Sequence, residues 1–316
     1  MFNYDEAFDR NIGWLTRDEQ QKIRNSTVAL AGLGGAGGFQ AQALARLGVG
    51  RFKIADPDTF ELTNRNRQIG ATEETLGKQK VAVIRDMILA INPDASIAVY
   101  DEGIHTQNID EFLEGADFVI DGIDFFALTT KFLLFDKCRE LRKVVLTSCP
   151  LGFGASLITF SPDGMSFPDF FDLKPDLSDE QKTFYLAFGL SPTPLCLSYM
   201  NEKASQIGEG RAASVCPGLM LVGAVTATEA VKHLTGKGRI HYAPHVYQTD
   251  LFTQKTVKKF YPLGMRSPWM RLKKWFVIKF ILPAKKRVAS SPAAGKQPDM
   301  LTAGKALLLA AANYAG

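Results

Sequence analysis

The stretch Val28-Ala-Leu-Ala-Gly32-Leu-Gly34-Gly35-Ala-Gly37-Gly38 constrains this chain more than any other. Its apolar start reads as a buried strand, and the glycines that follow read as a tight turn opening a helix. In such a unit Gly32 makes the bend, Gly34 lets backbone approach a phosphate, and Gly37 lets the helix pack on the strand. The helix N-terminus then offers free N–H groups and the positive end of its dipole to an anion. Nineteen residues after Gly37, Asp56 closes the short run Arg51-Phe-Lys-Ile-Ala, where a carboxylate suits ribose hydroxyls. The pattern specifies a nucleotide site and leaves NAD, FAD and ATP open.

The rest of the chain supports a layered α/β fold. Strands are expected at 28–31, 52–55, 95–100, 118–121 and 144–147, with helices at 39–47, 80–91, 109–114 and 129–141 between them. That alternation predicts a parallel sheet with right-handed crossovers. Residues 1–25 read as helical and polar, with Thr16-Arg-Asp-Glu19 matching a capping box. Beyond Pro150 the runs 155–160, 240–247 and 256–261 predict antiparallel or edge strands. Residues 161–211, rich in Pro, Asp and Phe, carry no clear periodic element, and 202–211 read as a mobile loop. Pro217 opens a long apolar helix over 218–234 that Gly236 caps.

Charge and cysteines narrow the function classes. The 316 residues carry a net +4, but residues 266–287 hold eight Lys or Arg and no acid, leaving residues 1–265 at about −5. Such a body is a poor general nucleic-acid binder. Cys138, Cys149, Cys196 and Cys216 form no CxxC pair, so neither zinc nor a disulfide framework is expected. Free thiols, an acidic start without a long apolar run, and no stretch long enough to span a bilayer together point to the cytoplasm.

Two carboxylates, Asp56 and Asp124, fall at strand ends, and the segment between them carries Asn64, Arg67, Gln68 and Lys80. Strand C-termini of a parallel sheet share one edge, so these groups converge beside the glycine turn. A hydride-transferring NAD or FAD enzyme does not need that set, whereas Arg and Lys near a phosphate-binding turn suit charge that develops on a transferring phosphorus. Asp124 facing phosphates is a natural Mg²⁺ ligand. A non-catalytic nucleotide-binding scaffold is the third alternative.

These residues resemble the E1-like, ThiF-type adenylating superfamily, which includes the sulfur-carrier activators, the ubiquitin-activating enzymes and the tRNA threonylcarbamoyladenosine dehydratases. The resemblance rests on Gly32-Leu-Gly-Gly-Ala-Gly37, Asp56-Pro-Asp58, Leu62-Thr-Asn64 with Arg67-Gln68, Leu76-Gly-Lys-Gln-Lys80, Ile91-Asn-Pro93 and Val119-Ile-Asp-Gly-Ile-Asp124. It implies a Rossmann-like α/β domain over residues 1–265, with 27–150 the nucleotide-binding half and 266–316 an accessory tail. It further implies ATP- and Mg²⁺-dependent adenylation of a carboxylate, with Gly35 against the nucleotide, Asp56 on the ribose, Asn64, Arg67 and Lys80 around the triphosphate, and Asp124 on the metal. The acceptor would be the C-terminus of a ubiquitin-like or sulfur-carrier-type protein, or else a small molecule or modified tRNA base. Arg10, by its own context a solvated charge, matches a lead-in arginine that reaches the partner's site in a homodimer. Cys216, directly before Pro217, lies near where some relatives place an acyl-accepting thiol, although a free cysteine is more often an inert buried hydrophobe. Two departures are the missing CxxC pairs and Phe125, where the family commonly has Asn after the aspartate.

The tail mixes Trp269, Trp275, Phe276 and Phe280 with Arg271, Lys273, Lys274 and Lys279. Its cations scatter on a helical wheel, which favours packing on the body or docking a partner over peripheral contact with anionic lipid. Residues 290–298 read as a linker and 301–314 as a short Ala/Leu helix.

Overall fold

The computed structural model describes residues 1–200 and 213–276. The chain opens with α1 (Tyr4–Ala7) and α2 (Arg17–Asn25), then runs β1 (Thr27–Ala31), α3 (Gly35–Arg46), β2 (Arg51–Ala55), α4 (Lys80–Ile91), β3 (Ser96–Tyr100), α5 (Ile109–Leu113), β4 (Phe118–Asp121), α6 (Leu128–Glu140) and β5 (Val145–Leu151). It continues through β6 (Gly154–Phe160), α7 (Phe167–Phe171), α8 (Asp179–Leu190), α9 (Cys216–Thr235), β7 (His245–Asp250), β8 (Lys255–Phe260) and α10 (Pro268–Phe276).

All eight strands form one sheet in the order β3-β2-β1-β4-β5-β6-β7-β8. The first five neighbours pair in parallel, and β5 through β8 turn back on one another antiparallel. β1 is buried along its whole length: Val28 and Leu30 face a core shared with α2, α3, α4 and α9, while Ala29 and Ala31 face one shared with α5 to α8. Covering on both faces explains why this strand reads as an uninterrupted apolar run. Because β2 and β4 leave β1 on opposite sides, the strand order reverses there, and the C-terminal ends of β1 and β4 mark the switch point where sheets of this kind bind ligands.

Local signals act where expected. Thr16 and Glu19 cap α2 reciprocally, and Gly236, at φ 73°, ends α9. The expected strand at 240–247 starts later, at His245, because Pro244 has no N–H to give a ladder. α3 begins at Gly35, earlier than its apolar residues suggest. Residues 161–211 are not devoid of structure: α7 and α8 occupy them, with Ser166 capping the first and Ser178 and Gln181 boxing the second. α7 is too short to show a period, but it buries Phe167, Phe170 and Phe171 against Phe160. The expected loop at 202–211 and the tail beyond residue 276 lie outside the described residues. Within them, α10 is pinned to the end of α7 and to α8: Lys274 Nζ lies 2.6 Å from Asp172 Oδ2 and 3.9 Å from the centroid of the Tyr185 ring.

Candidate active site

The glycine turn is interlocked through backbone. Gly32 adopts φ +89°, and a Cβ there would lie 2.2 Å from the Gly122 carbonyl oxygen; a Cβ on Gly37 would lie 1.9 Å from that of Gly32. The end of β1, the loop after β4 and the first turn of α3 therefore meet at one point. Gly34 is the N-cap of α3, and the N–H groups after it have no carbonyl of their own helix to bond, so they face outward as an anion site. Gly35 has a further reason to be glycine, since a Cβ there would come within 2.8 Å of Leu219 Cδ1 in the first turn of α9.

Asp56 braces this turn from below. Its Oδ2 accepts the Leu33 N–H at 2.6 Å and its Oδ1 accepts the Asp58 N–H at 2.9 Å, with only 5% of the residue exposed. Burial pushes the carboxyl above its ordinary value, against the Lys80 charge and the two N–H donors. Lys80 opens α4 and points its Nζ at Asp58 Oδ2, 2.8 Å away; its side chain is 7% exposed and that of Asp58 is 66% exposed.

The loop between β2 and α4 brings the remaining groups. Asn64 is buried, and its Oδ1 accepts the Glu61 N–H at 3.0 Å, which shapes the turn ahead of Arg67. Arg67 donates to Thr63 O and Asn66 Oδ1 and has no carboxylate partner among the described residues. Gln68 is buried beside Gly34, whose added Cβ would sit 3.6 Å from Gln68 Nε2, and its Oε1 has no hydrogen-bond partner among the described residues. An orphaned amide oxygen against a phosphate-type turn fits a ligand that brings its own donor.

Asp124 lies exposed on the loop that starts at Gly122, with Oδ1 accepting the Phe126 N–H at 2.8 Å. No group of three metal-ligating side chains occurs among the described residues. A lone exposed carboxylate still fits Mg²⁺, which is commonly held by one or two carboxylates together with substrate phosphates.

Two of the residues expected from the sequence stand apart from this cluster. Arg10 is exposed on the 3-10 turn Asp9–Asn11 and makes no hydrogen bond or ion pair among the described residues; Asn11 ties the turn down through Gln20. Cys216 is half-buried at the first residue of α9. It shares the rim indirectly, because Asn66 donates to Ser214 O at 3.1 Å and Leu219 touches Gly35. By contrast, burial pushes the Cys149 thiol up to about 12 and raises the Cys138 thiol as well, which disfavours the thiolate at both.

A buried network was not anticipated. Lys131 of α6 reaches both oxygens of Asp121 at 2.8 Å, Thr147 Oγ1 donates to Oδ2 at 2.8 Å, and the Ile123 N–H donates to Oδ1 at 3.2 Å. Asp121 thereby fixes the root of the loop that carries Asp124. The available signal was a lysine among the inward-facing Leu128, Leu134 and Phe135 of α6, ten residues after an acid ending an apolar strand.

The sequence matches the ThiF family over residues 8–268. Among curated relatives, the tRNA threonylcarbamoyladenosine dehydratase of Haemophilus influenzae is 35% identical over 147 residues, 46% of this chain and 55% of that protein. The probable molybdopterin-synthase adenylyltransferase of Porphyra purpurea is 27% identical over 217 residues, 69% of this chain and 50% of that one. The chain thus spans about half the length of these relatives. Escherichia coli MccB, solved with AMPCPP and MccA, shares the fold at a TM-score of 0.61 and 19% identity, over 84% of this chain and 74% of its own. With the family match covering most of its length, the chain belongs to the ThiF family.

Proposed function

We propose that this chain uses ATP to adenylate a carboxylate, the C-terminal carboxylate of a small ubiquitin-like or sulfur-carrier-type protein. One observation carries the reading: the loops that follow β1, β2 and β4 at the strand-order reversal carry a free helix N-terminus, a lysine with a solvent-exposed partner, an arginine without a carboxylate partner among the described residues and an exposed aspartate. The triphosphate lies against Gly34, Gly35 and the first N–H groups of α3, with Asn64, Arg67 and Lys80 around it and the ribose toward Asp56. An acceptor carboxylate oxygen attacks the α-phosphorus, the bond to the bridging oxygen of the β-phosphate breaks, and pyrophosphate leaves with the electron pair. Lys80 and Arg67 offset the charge that builds on the leaving group, Lys80 by exchanging Asp58 for phosphate oxygens. Asp124 would hold Mg²⁺, which when bound supplies further charge neutralisation.

Arg10, presented outward with no hydrogen-bond or ion-pair partner among the described residues, completes the site of a second protomer in a two-fold homodimer. Cys216 takes the acyl group: its thiolate attacks the acyl carbonyl and AMP leaves. The adenylyltransferase and MccB similarities support this reading, and the dehydratase similarity makes a modified tRNA base the second acceptor class.

The test is exchange of labelled pyrophosphate into ATP, run against carrier proteins, free carboxylates and tRNA. Exchange with a carrier protein, lost in Lys80→Ala and Asp124→Ala and retained in Cys216→Ser, is the expected outcome. Exchange that persists in both of the first two variants overturns their assignment, and ATP binding without exchange for any acceptor leaves only a nucleotide-binding scaffold. Mixing Arg10→Ala with Asp124→Ala protomers should restore part of the activity; no recovery counts against an arginine shared across the dimer.

A further inference from the structure

Helix α10 sits on the body with its apolar side outward. Its fully buried residues are Met270 and Lys274, whereas Trp269, Leu272 and Trp275 are 50, 53 and 49% exposed. With half-buried Phe276 these side chains span an arc of about 120° on one side of the helix, flanked by Lys273 on one edge and Arg271 on the other. Within the described part of the helix Lys274 is internal and Arg271 and Lys273 fall at the two edges of the arc, while Lys279 lies outside the described residues.

The orientation is held in place. Lys274 and Arg271 both bind Asp172, with Arg271 Nη2 2.9 Å from Oδ1. Rolling the indoles inward would strip this carboxylate, itself 6% exposed, of two cations. Lys273 Nζ lies 5.6 Å over the Trp269 ring, and burial together with the nearby charge of Lys259 on β8 disfavours its ammonium. Cationic charge is therefore crowded at the edge of an exposed aromatic ridge.

The charge pattern selects the occupant. Residues 266–287 hold eight cations and no acid, so the stretch that directly follows the helix adds positive and no negative charge, and the same face on a second copy would repel it. Indoles beside a leucine, bordered by Lys and Arg on an exposed helix, match the interfacial zone of an anionic bilayer, where indoles lie at headgroup level and cations meet phosphates. No described helix is long and apolar enough to cross a membrane, so the contact is with the surface. We propose that α10 seats this protein on an anionic lipid bilayer through Trp269, Leu272 and Trp275, with Lys273 and Arg271 on the headgroups.

Flotation of the full chain with vesicles of phosphatidylcholine alone, and of phosphatidylcholine mixed with phosphatidylglycerol, tests this. The protein should float only with the anionic vesicles, be released by salt, and in a Trp14→Phe background show a blue shift of its tryptophan emission on binding. Trp269→Ala with Trp275→Ala should lower the partitioning by about tenfold or more, and Lys273→Glu should weaken it, with thermal melting and pyrophosphate exchange in solution unchanged. Failure to float with anionic vesicles, equal flotation with neutral ones, or undiminished binding by the double variant overturns the proposal. So does tighter capture by polyglutamate than by vesicles, which would mark the ridge as a face for an acidic protein.

Discussion

Lys80 and Lys131 stand on either side of the glycine turn, each with Nζ 2.8 Å from an aspartate oxygen, and their side chains are 7 and 8% exposed. Their partners differ. Asp121 is closed off, at 0% exposure, with Lys131, Thr147 and the Ile123 N–H all bonded to it, whereas the Asp58 side chain is 66% exposed. A buried carboxylate cannot give up its cation without stranding a charge, but an exposed one is rehydrated when it lets go. Lys131 is therefore committed to the fold, while Lys80 is free to exchange Asp58 for phosphate oxygens at little cost.

The largest expected effect breaks the comparison on the closed side. Lys131→Met leaves Asp121 charged and unpaired inside the core, and should cost about 3–5 kcal/mol of stability, read as a shifted denaturant midpoint. Replacing both members, Asp121→Leu with Lys131→Met, should recover much of that loss. A single-variant cost below about 1 kcal/mol would put Lys131 in the same class as a surface pair. Lys80→Met should do the opposite, leaving a folded protein in which pyrophosphate exchange falls by about 10²–10³-fold. If exchange survives in Lys80→Met while stability falls by several kcal/mol, Lys80 is the committed lysine and its role in the chemistry is withdrawn.

The difference between the lysines also explains which parts of the molecule could be read from sequence. Lys80 sits in a short-range pattern: Gly32, Asp56, Arg67 and Lys80 follow one another in a few βα units, and the parallel sheet carries their ends to one edge. Gly32 and Gly37 were legible because backbone meets backbone there, and only glycine fits. The reason for Gly35 was only partly visible, since Leu219 comes from a helix far along the chain. Lys131 looked like one more helix charge, because nothing local says that α6 turns it toward Asp121. α7 and α8 were missed for a related reason: Phe167, Phe170 and Phe171 share one face, but five residues are too few to show a period, and in α8 the buried Leu186 and Leu190 take their place in the core from partners far along the chain. The Ser166 cap and the capping box Ser178 to Gln181 were the local clues.

A third buried lysine sharpens the contrast with pH. Burial opposes ionisation of Asp172, but the hydrogen bonds and charges of Arg271 and Lys274 outweigh it and hold its carboxyl below the ordinary 3.8. A carboxylate with a depressed value in the fold contributes stability that is fully present above 3.8 and is lost as pH falls through the lower, folded value. Acid should therefore release α10 only below about pH 4, seen as proteolytic cutting near Pro268 and a change in tryptophan emission. Asp172→Asn should produce the same release at neutral pH. If α10 detaches near pH 6 instead, Asp172 is not what holds it.

The smallest effect is expected from Asp58→Asn, and it bears most directly on the site. The backbone bonds that shape this corner, Lys80 N–H to Asp58 O and Asp58 N–H to Asp56 Oδ1, do not involve the replaced carboxylate. What is lost is one ion pair with a largely exposed acid, a change of about 0–1 kcal/mol. Stability should hardly move, and exchange should stay within about fivefold of the parent, with the KM for ATP unchanged or lower because Lys80 no longer has to leave a carboxylate. A loss as deep as that of Lys80→Met would mean that Asp58 is itself part of the chemistry, and the distinction between an exchangeable and a committed lysine would have to be redrawn around the acid instead of the amine.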